Sequence, residues 1–268
     1  GGNLVLSGER PVIDAVSVQL DGNVTYAGEG STQAFLESSM TASEDDFVYN
    51  HLNFSGKAEK VLPPLLKVVV NGTSTRLIVE GVTEQQISIP SFELAEMDVN
   101  KGSGMLIIEY DLSILQNFEQ LAGDIDFLNN SLLLDFGSSG SYNYSGGNWH
   151  NLGEIIYHNL PESPDQENAL FPFFDNELGF PRHLLLEGDL PDHGNSLAIR
   201  YYNNPGVTYD PGFSDVDGTR IVYELNSYFE ITAVAGPSST INLWVLSDDL
   251  GIQDVDHLRL TGNGAAAA

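Results

Sequence analysis

The chain of 268 residues contains no cysteine. That excludes disulfides, thiolate metal sites, a thioether-linked haem and a cysteine nucleophile. Cations are scarce: 10 Lys+Arg stand against 38 Asp+Glu, for a formal net charge of -28. A surface of that sign repels phosphate backbones and anionic lipid, so nucleic acid is not expected as a partner. No run reaches the ~18 apolar residues of a helical membrane span. The start has neither an initiator methionine nor a basic, apolar export leader, so Gly1-Gly2 is read as a mature or trimmed end. The phosphate loop, the dinucleotide glycine fingerprint, G-x-S-x-G and H-E-x-x-H are all missing, which leaves no catalytic motif.

What is present is a hydrophobic content of 41%, ordinary for a globular chain. It is distributed in short alternating runs cut by turn residues, the period of strands. "VIDAVSVQL" meets Asp21-Gly22 and returns as "NVTYAG". "LLKVVV", Asn71-Gly72 and "STRLIVE" form the clearest hairpin signal, because both dipeptides tolerate positive φ. "QQISIP", "GMLIIEY", "SLAIRYY", "TRIVYEL", "YFEITAVA" and "TINLWVLS" continue the pattern. The fold class expected is all-β: a mostly antiparallel β-sandwich of jelly-roll or immunoglobulin-like style, with long loops. One short helix is expected near 113–122, where Leu115, Phe118, Leu121 and Ala122 fall on one helical face between Ser113 and Gly123.

Two irregular stretches interrupt the runs. Residues 137–151, "GSSGSYNYSGGNWHN", mix glycine and serine with aromatics, and 159–183 carry four prolines. The expected organisation is an N-terminal strand over 1–11 followed by one composite sandwich over 12–268. The alternative is two β domains split near 137–151. No internal repeat stands out.

Candidates for chemistry are few. Asp215, Asp217 and Glu224 occupy the third, fifth and twelfth places of a calcium-loop template whose first place is Phe213, which cannot ligate. Asp254 and Asp256 belong to a second acidic cluster, and together these five are the candidate calcium ligands. His150, Glu154 and His158 share a face in either regular conformation. As a strand, which Gly153 and Ile155-Ile156 favour, they spread over ~26 Å, too far for one metal. The sequon N-x-[ST] occurs at Asn23, Asn53, Asn71, Asn129 and Asn143, which makes them glycosylation candidates. Tyr142, Tyr144 and Trp149 lie in the glycine-rich stretch and are candidates for stacking on a sugar or contacting a partner.

The apolar start is the remaining feature. Leu4, Val5 and Leu6 form a strand that must pair with some sheet, its own or a neighbour's. Strand donation to a neighbour is a known mode of polymer growth. An all-β subunit, no cysteine, turn sequons and an apolar N-terminal strand together resemble the subunits of donor-strand extracellular filaments of archaea and bacteria. The resemblance is one of general style and assigns no residue. It implies an extracellular or cell-surface structural protein with itself as partner; the apolar run itself makes Leu4, Val5 and Leu6 the candidate assembly strand. The competing expectation is a secreted calcium-dependent carbohydrate-binding module or glycan-active protein.

Overall fold

The computed structural model describes residues 3–13, 18–38, 47–54, 58–61, 69–70, 76–82, 84–87, 92–137, 140–190, 195–203, 227–235 and 242–245. Among them the chain is all-β and contains no helix, but it is a β-solenoid of stacked coils and not a sandwich. A sandwich folds hairpins face to face. Here each pass around the coil lays a strand parallel to the strand of the previous pass. In the long sheet Leu4–Leu6 pairs with Val18–Tyr26, then Phe47–Phe54, Arg76–Gly81, Phe92–Lys101, Leu112–Ala122, Ser131–Asp135 and Glu154–His158 follow, every pair parallel. A shorter sheet stacks Gln85–Ile87, Leu106–Ile108, Ile125–Asp126, Trp149–His150 and Leu170–Asp175 in the same sense. The expected antiparallel pairing is confined, among the described residues, to the C-terminal end. There Ser196–Asn203 and Ser227–Ala235 finish the long sheet, and Phe180–Glu187 and Asn242–Val245 finish the short one.

Stacking equivalent positions builds the core. Leu77, Met97, Phe118 and Tyr142 occupy one inward site in successive coils and are all buried. Leu112, Leu132, Ile155 and Ile199 occupy another. Aromatics fill the middle: Phe118 stacks on Tyr142 at 5.5 Å between ring centroids, Tyr142 on Phe171 at 6.3 Å, and Trp149 meets Phe173 edge-on at 6.0 Å. Their polar handles are satisfied, the Trp149 indole donating to Gln120 Oε1 at 2.7 Å and the Tyr142 hydroxyl to the Leu170 carbonyl at 2.9 Å. A large side chain moved from water into such a core contributes roughly 1.5–3 kcal/mol.

Three local expectations are corrected. The helix near 113–122 is the strand Leu112–Ala122. Its register on Phe92–Lys101 slips between Leu94↔Ile114 and Glu96↔Asn117. Of the four residues placed on one helical face, Phe118 is buried, Leu115 and Ala122 are half-buried and Leu121 is exposed. Asp21-Gly22 is no hairpin turn either, since both residues lie inside the strand Val18–Tyr26 at another register slip, between Leu20 and Asn23. Val69–Val70 and Arg76–Gly81 both run parallel along Phe47–Phe54, end to end and not side by side, so the two segments are not a hairpin; residues 71–75 between them lie outside the described residues.

The glycine-rich stretch also differs from expectation, since it supplies two strands, Ser141–Tyr144 and Trp149–His150. The long sheet continues past it where Ser131–Asp135 pairs with Glu154–His158. Glycine is required at the corners because coils approach closely there. A Cβ on Gly123, at φ +96°, would sit 2.5 Å from Lys101 Cβ, and one on Gly153 would sit 2.3 Å from the Asn129 carbonyl oxygen. Asparagine takes other left-handed corners, at Asn129, Asn151 and Asn159. No helix among the described residues is long and apolar enough to cross a membrane.

The strand and helix readings of 112–122 make opposite demands. On a helix Phe118 and Leu121 share a face; in the strand Phe118 is buried and Leu121 is 42% exposed. Phe118→Ala is therefore expected to cost roughly 3–5 kcal/mol, while Leu121→Glu stays within about 0.5 kcal/mol of the parent, both read from denaturant midpoints.

Candidate functional site

The open N-terminal end comes first because Leu4, Val5 and Leu6 lie there. Their strand pairs within its own chain, Leu4↔Val24, Val5↔Thr25 and Leu6↔Tyr26. The Leu6 carbonyl accepts from the Ala27 amide at 2.8 Å. Backbone groups of successive strand residues point to alternate edges. Val5 therefore directs its N–H and carbonyl away from Val18–Tyr26, toward the free edge. Leu4 and Leu6 are half-buried, and Val5 is 60% exposed. The turn after the strand is pinned by buried Gln33. Its amide donates to the Leu6 and Gly8 carbonyls at 2.7 and 3.0 Å, and its oxygen accepts from the Gly28 amide at 2.7 Å.

A different device stands toward the C-terminal end of the described coils. Asp175, fully buried, accepts from the backbone amides of Glu177 and Leu178 at 3.1 and 2.9 Å, which forms the turn after Leu170–Asp175. It also accepts from Tyr201 Oη at 2.9 Å and Asn203 Nδ2 at 2.8 Å, and the Arg182 guanidinium stands 3.8 Å away. One carboxylate thus ties the end of the strand Leu170–Asp175 in the short sheet to Ser196–Asn203 of the long sheet. Burial, with the Asp175 charge beside it, pushes the Tyr201 hydroxyl up to about 12.

A third feature is polar and lies across the short sheet. His150 Nδ1 is 2.7 Å from Asn176 Oδ1, and its Nε2 faces Asp124 Oδ2 at 3.5 Å. Asp124 also accepts from the Asn148 backbone and side-chain amides at 2.8 and 3.2 Å. The His150 imidazole holds the Asp124 carboxyl below its ordinary range, burial opposes it, and the Asn148 donors add to it. Beside Asp124 a shallow concavity of about 560 Å³ opens between Lys101–Met105 and Ala122–Asp124. Behind it, buried Lys101 donates to Gln85 Oε1 at 2.8 Å.

The remaining candidates scatter. Tyr142 and Trp149 are core residues, 0% and 1% exposed, and present no face to a sugar or partner; only Tyr144 is partly accessible. As contact candidates they needed an exposed face, and the core claims them because their strands stack inward. Asn129 is exposed at a corner, Asn143 is exposed on Ser141–Tyr144, and Asn23 is exposed on Val18–Tyr26. Asn53 lies in the strand Phe47–Phe54. Asn71 and the acids Asp215, Asp217, Glu224, Asp254 and Asp256 lie outside the described residues. His150 and the strand Glu154–His158 belong to different sheets, and no group of three or more metal-ligating side chains occurs among the described residues. Sequence reasoning missed Asp175, Arg182 and Asn203, and took Tyr201 only as an aromatic suited to sugar or partner contact. The turn residues Asp175-Asn176 were a signal for the first, and nothing local pointed to the others.

The fold defines the class, an all-β solenoid of stacked, mostly parallel coils. No family model, no curated protein and no solved structure matches the chain.

Removing the Asp175 carboxylate takes the opposite charge from beside buried Arg182 and a hydrogen-bond partner from half-buried Tyr201. Asp175→Ala is expected to cost roughly 3–5 kcal/mol, read by denaturant titration.

Proposed function

We propose that this chain is an exported structural subunit that builds an extracellular filament, layer or matrix by stacking end to end with copies of itself. The observation that carries the reading is the backbone edge at Val5, unpaired among the described residues, on a coil that already runs as a parallel ladder. A strand edge with an unpaired N–H and carbonyl is a template for another strand. Strand sense supports a head-to-tail contact. Ser196–Asn203 reverses against Glu154–His158, and Ser227–Ala235 reverses again. Two reversals restore the direction of the solenoid body. Ser227–Ala235, last in the long sheet among the described residues, therefore runs in the sense that Leu4–Leu6 of another copy needs. Such a contact does not close on itself and yields a filament.

The charge of -28 shapes the growth. Acidic flanks repel sideways contact, and the end-on contact itself strengthens as salt shortens the screening length from about 10 Å at 0.1 M to about 3 Å at 1 M. The strand exchange inferred from sequence remains an alternative geometry for the same assembly. It would pull residues 3–8 out of the bonds that Gln33 makes, which favours edge addition. The carbohydrate-binding reading with calcium has less behind it, because Tyr142 and Trp149 are buried.

Val5→Pro tests the reading selectively, since that N–H serves no bond in the chain's own ladder and proline is tolerated at such an edge. The expected outcome is salt-promoted filaments for the parent, with an axial repeat near ten strands, roughly 48 Å, seen by electron microscopy. Val5→Pro should remain folded and monomeric. Filaments unchanged by Val5→Pro overturn edge addition; a parent that stays monomeric at every salt concentration overturns assembly.

A further inference from the structure

The row of side chains across the short sheet has only one consistent arrangement of donors and acceptors. Asp126, a carboxylate, can only accept, and the Asn151 amide donates to its Oδ1 at 3.0 Å. Asn151 Oδ1 then faces Asn176 and accepts from Nδ2 at 2.7 Å. That leaves Asn176 Oδ1 toward His150 Nδ1 at 2.7 Å, so Nδ1 must carry a proton. In a neutral imidazole the proton on Nδ1 leaves Nε2 as a bare lone pair. Yet Nε2 is buried, has no hydrogen-bond partner among the described residues, and confronts Asp124 Oδ2 at 3.5 Å. Two acceptors facing each other in a buried place repel. A proton on Nε2 turns the repulsion into an ion pair.

We propose that His150 is a proton-operated latch, doubly protonated when closed, which holds the turn after Leu170–Asp175 onto the two coils beneath it. The latch spans three layers. Asp124 and Asp126 come from the coil of Ile125–Asp126, His150 with Asn148 and Asn151 from the next, and Asn176 with Phe174 from the turn strand above. The Phe174 ring lies 4.3 Å from the imidazole, between centroids. Burial alone lowers the imidazole's affinity for its second proton, but the bonds to Asp124 and Asn176 and the charges of Asp124 and Asp126 outweigh it, and the net displacement is upward from 6.5. A folded midpoint above the unfolded one gives a contribution that is complete below pH 6.5 and is lost as pH rises through the folded midpoint. Mild alkalinity therefore opens the latch, and acidity closes it.

The experiment is nitrogen-15 NMR of the histidine rings of the full chain, with amide exchange of Glu177, Leu178 and Gly179 measured across the same pH range and corrected for intrinsic rates. Both His150 ring nitrogens should be protonated at pH 6.5, with a midpoint above that value. Turn protection should fall by up to about tenfold for each pH unit between the unfolded and folded midpoints. Asp124→Asn should bring the midpoint down, and His150→Gln should remove the pH dependence of the turn. A bare ring nitrogen at pH 6.5 with a midpoint at or below 6.5 overturns the proposal. So does turn protection that ignores the titration.

Discussion

The parallel backbone ladder from coil to coil is the constraint on which the rest depends. Each strand's amides and carbonyls are consumed by the strands of neighbouring passes, so the chain must return to the same azimuth every turn. Corners therefore become tight, which is why glycine sits where a Cβ would strike the coil below and asparagine sits where φ turns positive. Inward positions become stacks, because a residue facing the axis has its equivalents directly above and below. Large apolar side chains can then fill the bore without being identical.

Polar groups enter the interior where the ladder cannot reach. Gln33 satisfies the turn beyond the first strand, Gln120 joins the Trp149 indole to the Gly123 carbonyl at its corner, and Asp175 joins the two sheets. Each bridges segments that the backbone pattern leaves apart. Toward the C-terminal end of the described coils, where strand sense reverses, a buried carboxylate with several donors joins the two sheets. At the open end nothing comparable stands beside Val5 among the described residues. The asymmetry between the two ends gives the molecule a polarity along its axis, and the proposed assembly rests on that polarity. The acidic flanks act in the same direction, since they discourage every contact except one made through backbone at an end.

Much of the local character was legible in the amino-acid sequence. Strands over 85–87, 106–108, 196–203, 227–235 and 242–245 follow from β-branched and aromatic runs. The apolar start is a strand, as Leu4-Val5-Leu6 suggested. Asp-Gly and Asn-Gly are favourable at hairpin turns because they tolerate unusual φ, but Asp21-Gly22 lies inside a strand, at a register slip. Leu115, Phe118, Leu121 and Ala122 fit one helical face by spacing alone, but pairing on Phe92–Lys101 makes the segment a strand in which Leu121 is exposed. Tyr142 and Trp149 looked like exposed loop aromatics because glycine and serine surround them, whereas those small residues serve the corners and let the rings turn inward.

What the sequence determined by itself is therefore the class of bond and the sign of the surface: strands throughout, no thiol chemistry, and a strongly acidic exterior. The tertiary structure alone decided the direction in which strands pair. Parallel partners lie 20 to 24 residues apart at Leu77, Met97, Phe118 and Tyr142, and all that recurs is an inward apolar position, filled by a different side chain each time. Local preference is blind to that recurrence, because a pleated half-buried strand has the same composition whether its neighbour runs with it or against it. The meeting of Asp124, His150 and Asn176, and of Asp175 with Tyr201, likewise exists only because the coils stack.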